Sequence, residues 1–61
     1  MNRYVLSYRP AGYGPSFGPD FEEQEAAFET DDEAVAWAKG LPMSGYEMIL
    51  TVNDVIIWVQ D

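Results

Sequence analysis

Thr30-Asp31-Asp32-Glu33-Ala34-Val35-Ala36-Trp37-Ala38-Lys39-Gly40-Leu41-Pro42 is the stretch on which the fold turns. Thr30 followed three residues later by Glu33 is a capping box, which starts a helix. Asp31, Asp32 and Glu33 fall in the first turn, where the positive end of the helix dipole favours carboxylates. Ala34, Trp37, Ala38 and Leu41 recur at the spacing of one buried face. Lys39 suits the negative end, Gly40 ends the element and Pro42 prevents its resumption. The reading is a helix over 31–39, anchored by Trp37, with small alanines that let it lie close on a sheet.

Working back from Thr30, residues 21–29 read Phe-Glu-Glu-Gln-Glu-Ala-Ala-Phe-Glu. Glutamate, glutamine and alanine suit a helix, and one helix from Asp20 to Lys39 is conceivable. The capping box argues against it, because it begins a helix at residue 30. The segment before it also suits a hairpin. Pro10, Pro15 and Pro19 with Gly12, Gly14 and Gly18 make residues 10–19 a loop that no helix or ladder can cross. Residues 22–29 are therefore expected as a strand returning on the first one. Tyr13 and Phe17, inside the loop, are expected to fold back over the core, the alternative being a loop tip that touches a partner. Residues 3–9 alternate, with Tyr4, Leu6 and Tyr8 on one side and Arg3, Val5, Ser7 and Arg9 on the other, which is a strand pattern.

Forward of Pro42, residues 45–61 read as a second hairpin. Tyr46, Met48, Leu50 and Val52 alternate with Glu47, Ile49 and Thr51. Asn53-Asp54 fits a two-residue turn with positive φ at both positions. Such a turn sets Val52 opposite Val55, Leu50 opposite Ile57 and Met48 opposite Val59. The other side then carries Ile49 opposite Trp58 and Thr51 opposite Ile56, a face too apolar for an ordinary wetted sheet. The expected fold is α+β: a two-layer β-β-α-β-β domain over residues 1–61, two antiparallel hairpins with one helix on one face.

Composition limits the chemistry. A chain of 61 residues hides only roughly 60% of its unfolded surface, which leaves little room for a deep cleft. There is no cysteine and no histidine, so disulfides, thiolate metal sites, a thiol nucleophile and the commonest general base are excluded. Ser7, Ser16 and Ser44 lack a histidine to activate them. Gly12-x-Gly14 places Gly18 one residue too late for a dinucleotide fingerprint, and acids follow it where a phosphate would be repelled. The acids lack the order of a calcium loop. The expectation is a protein with no catalytic residue, cofactor or metal. The apolar start Tyr4-Val5-Leu6 is too short and interrupted for a signal-peptide core, and no run approaches membrane-spanning length. A soluble cytoplasmic protein is expected.

Charge is the feature left over. Acidic residues number 11 and basic residues 3, for a net charge of −8. Eight of the acids lie between positions 20 and 33: Asp20, Glu22, Glu23, Glu25, Glu29, Asp31, Asp32 and Glu33. On a strand Glu23 and Glu25 share a face at about 6.6 Å, with Glu29 further along, so carboxylates can imitate part of a phosphate row. The plainer reading is a wetted acidic face with good helix capping. It explains Asp31 to Glu33 well and Asp20 to Glu25 less well, because glutamates repel each other in a strand.

This short, acidic, cysteine-free chain resembles the small phage and mobile-element inhibitors of host defence. It is similar in kind to anti-CRISPR proteins that block DNA entry into a type I Cascade effector. The resemblance rests on the Asp20–Glu33 cluster and the β-β-α-β-β order ending in Val55-Ile56-Ile57-Trp58-Val59, and on no family motif. It implies a non-enzymatic inhibitor in the host cytoplasm, bound to a basic nucleic-acid-binding subunit through Asp20, Glu22, Glu23, Glu25, Glu29, Asp31 and Asp32. Direct nucleic-acid and membrane binding are not expected. The alternative is an interaction or dimerisation module using Ile49, Ile56 and Trp58, with the acids serving solubility. Either a monomer or a weak homodimer fits.

Overall fold

The computed structural model describes residues 1–12 and 20–60. Tyr13 and Phe17, expected as a lid or a loop tip, lie outside the described residues. Strand β1 spans Asn2–Pro10, β2 Glu22–Phe28, helix α1 Asp31–Lys39, β3 Tyr46–Val52 and β4 Val55–Gln60. The strands form one antiparallel sheet in the order β2-β1-β3-β4, with the helix as a second layer. This is the α+β, β-β-α-β-β fold expected, and the ambiguous stretch before Thr30 is a strand over Glu22–Phe28.

Register follows from the alternation. Tyr4, Leu6 and Tyr8 of β1 oppose Ala26, Gln24 and Glu22 of β2, and Val52, Leu50 and Met48 of β3. These positions share the face toward α1. The core is Tyr4, Leu6, Met48 and Leu50 under Ala34 and Ala38, all fully buried. The alanines, not Trp37, make the closest seat of helix on sheet. Trp37 is half-buried at the rim, its ring 5.6 Å from that of Phe28 on β2. A tryptophan under the helix axis would hold the layers too far apart for both alanines to close.

Helix ends follow the sequence with two differences. The Thr30 hydroxyl accepts from the Glu33 backbone N–H at 3.2 Å and donates to the Glu33 carboxylate. The return bond of the box therefore goes to the hydroxyl. Gly40 keeps a right-handed backbone, and its N–H bonds back to Ala36 and Trp37. Termination thus falls to Pro42, which forbids a continued helical ladder.

The second hairpin departs from the expected register. Asn53 and Asp54 take φ of 51° and 64°, the two-residue turn anticipated, with Val52 opposite Val55 and Thr51 opposite Ile56. Beyond that a bulge intervenes. Leu50 opposes Trp58, Ile49 opposes Val59 and Met48 opposes Gln60, with Ile57 the extra residue. The expected pairs Leu50–Ile57, Met48–Val59 and Ile49–Trp58 are wrong by one. A bulge of this kind turns two consecutive side chains to one side, and both Ile57 and Trp58 pack on the core. Burying two large side chains where strict alternation buries one is the physical reason for the slip. The Gln60 side-chain amide then donates to the carbonyls of Met43 and Tyr46, closing the end of β4 on the helix–strand loop.

Candidate partner-binding surface

The acidic segment divides between the two faces of one sheet edge. β2 is an outer strand. Glu23 and Glu25 oppose Ser7 and Val5 on the face away from the helix, and Glu22 opposes Tyr8 on the helix side. All three are exposed. Glu29 follows the strand's last residue, so it does not extend the Glu23–Glu25 row. Its backbone carbonyl accepts from the Asn2 side chain. Asp32 stands exposed in the first helical turn, and Asp20 is exposed just before β2. The seven carboxylates line both sides of the β2 edge and the start of α1 instead of forming a single row.

Two of the acids in this segment serve the fold. Asp31 accepts the Tyr4 hydroxyl at 2.7 Å, tying the centre of the sheet to the helix start. Glu33 completes the Thr30 cap. The Tyr4 hydroxyl is held above its ordinary pKa of 10.0, first by the bond to Asp31 and then by burial, with the charges of Asp31 and Glu33 adding. One acid of the β2 edge has a basic partner. Arg3 Nε lies 3.4 Å from Glu25 Oε1, with both side chains exposed. Such an exposed pair contributes only about 0–1 kcal/mol, so Glu25 stays available to a stronger partner.

The open face has a character of its own. Arg9 Nε is 2.9 Å from Glu47 Oε2 across β1 and β3, and the guanidinium lies 4.5 Å above the Phe21 ring. Between the Arg3–Glu25 and Arg9–Glu47 pairs run Val5, Ile49 and Thr51, with Ile56 and Val59 at 58% and 50% exposure. Of the expected apolar trio, Ile49 and Ile56 lie here. Trp58 does not, because the bulge sends it to the core and puts Val59 beside Ile49.

Among the described residues, Tyr8, Arg9, Pro10, Asp20, Glu22 and Tyr46 line a cavity of about 270 Å3. The Tyr8 and Tyr46 rings meet at 59°, with centroids 6.4 Å apart. Sequence reasoning missed this grouping. Alternation places Tyr8 and Tyr46 on their inner faces, but only the β1–β3 pairing brings the two strands together, and strand order is not written in the alternation.

Among the described residues no three carboxylates converge as metal ligands do, and no helix is long and apolar enough to cross a membrane. No protein-family profile, curated protein or solved structure matches the chain.

Proposed function

We propose that the chain is a non-enzymatic inhibitor of anti-CRISPR type. Its acidic β2 edge docks on the basic nucleic-acid-binding surface of a CRISPR effector complex in the host cytoplasm. The observation that carries this reading is the exposure of Glu22, Glu23 and Glu25 on an outer strand, flanked by Glu29 and Asp32. The basic residues give that edge little neutralisation. Arg9 is engaged by Glu47, Lys39 sits in the last helical turn, and Arg3 makes only a solvent-exposed contact. Glu23 and Glu25, about 6.6 Å apart on one face, offer a basic groove two carboxylates in the manner of phosphates. Charge-led docking gains rate and specificity from this complementarity and weakens with salt.

Reversal of Glu23 and Glu25 to lysine tests the reading. The double variant keeps its fold, because both side chains are exposed and crowding of like charge is relieved. It loses affinity for the effector complex, and the remaining affinity depends less steeply on salt. A folded double variant with unchanged affinity and salt slope removes the acidic-edge mechanism.

A second reading draws on the open face. Counting Glu23, Glu25 and Glu47 against Arg3 and Arg9, it carries one net negative charge on a chain of −8. A second copy can approach there with least repulsion, over Ile49, Ile56 and Val59. Ile56→Lys abolishing a concentration-dependent dimer in sedimentation supports it. A wild-type monomer at all concentrations excludes it.

A further inference from the structure

We propose that the cavity between Tyr8, Tyr46, Asp20 and Glu22 receives one arginine side chain presented by the partner. The choice of occupant rests on the acidic-edge reading; the chemistry of the walls stands independently. The Tyr8 and Tyr46 rings meet at an angle and form a corner, not a closed stack. Such a corner presents aromatic surface to a cation, which the electron-rich ring face attracts. Asp20 and Glu22 are both exposed and line the same cavity. Arg9 also lines it, but its charge is met by Glu47 at 2.9 Å and its guanidinium rests over Phe21. Among the described residues the cavity therefore presents two carboxylates beside two rings, with its one cation already matched.

A planar guanidinium suits this combination better than an ammonium. It stacks on a ring and offers its edge to a carboxylate at the same time, whereas lysine brings a compact, strongly hydrated charge. At about 270 Å3 the space suits one side chain, not a folded element. Its position also fits the docking mode. Glu22 is the helix-side neighbour of Glu23 on the same outer strand, so a partner lying along the β2 edge reaches the open-face carboxylates and the cavity mouth together.

Titration of the isolated chain with N-acetyl-L-arginine amide, followed by backbone amide NMR, tests this without the partner. Saturable shifts are expected at Tyr8, Glu22 and Tyr46, with a weaker response to the matching lysine amide. Glu22→Gln is expected to weaken binding about two- to fivefold, the value of one exposed ionic contact. Glu23→Gln, an equal change of charge on the opposite face, is expected to leave it unchanged. A linear, unsaturable response overturns the proposal, and so does equal weakening by the two variants, which reports a diffuse field and no site. Failure here leaves the acidic-edge reading standing. Unchanged effector binding by the Glu23→Lys, Glu25→Lys variant removes that reading and leaves the cavity result intact.

Discussion

Tyr4 couples the two layers through one hydroxyl. Its ring lies in the core, and its oxygen donates to Asp31 at the helix start. Because the folded state holds this hydroxyl above its ordinary pKa, the neutral form is the one the fold favours. The stability it contributes is complete below the ordinary value and is lost as pH rises through the raised folded value. Wild-type protein is therefore expected to lose melting temperature as pH rises above the ordinary tyrosine value of 10.0. Tyr4→Phe melts lower at neutral pH, having lost the bond, but shows a shallower alkaline decline. Parallel declines in the two proteins contradict the role given to this hydroxyl. Asp31 looked like an interface residue from sequence because this bond is not visible there. A carboxylate in a first helical turn gives no sign that a tyrosine 27 positions earlier reaches it through the fold.

The elements were largely legible because each carries its own punctuation. Thr30 with Glu33 opens α1 at the residue expected, and Asn53-Asp54 turns with both φ positive. Strand order, the β3–β4 bulge and the seat of the helix were not legible, because they depend on what each strand meets. Nothing local in Val55-Ile56-Ile57-Trp58-Val59 says that two neighbours, Ile57 and Trp58, will turn to one side. The bulge makes a sharp prediction. Trp58→Lys is expected to destabilise strongly, by about 2–3 kcal/mol, since it takes a large apolar side chain from the core edge. Ile56→Lys, on the open face, is expected to change the melt little. A Trp58→Lys melt as little changed as that of Ile56→Lys restores the unbulged register, which puts both side chains on the open face. At the turn, Asp54→Gly is expected to raise stability by about 1 kcal/mol, since glycine accepts left-handed φ without the cost borne by a side chain. A lower melting temperature for this variant contradicts the turn geometry.

At the scale of the molecule, charge and core are arranged separately. A small core of six fully buried residues holds one face of the sheet against α1, and eight of the eleven acids lie along the β2 edge and the first turn of α1. The sequence showed that acids were concentrated, that Glu23 and Glu25 share a strand face and that Glu33 belongs to the helix cap, but not that β2 would be an outer strand, nor that Asp31 would be engaged by Tyr4. The candidate surface is thereby reduced to an edge, with Glu23 and Glu25 at its centre. The most direct measurement of the central claim is displacement of a labelled DNA duplex from a purified type I CRISPR effector complex. Wild-type protein and the Glu23→Lys, Glu25→Lys variant are titrated side by side at low and raised salt. The account predicts that wild-type protein releases the duplex, less effectively at raised salt, and that the folded double variant releases none. Equal displacement by the two proteins, or a duplex that wild-type protein leaves bound at low salt, contradicts it.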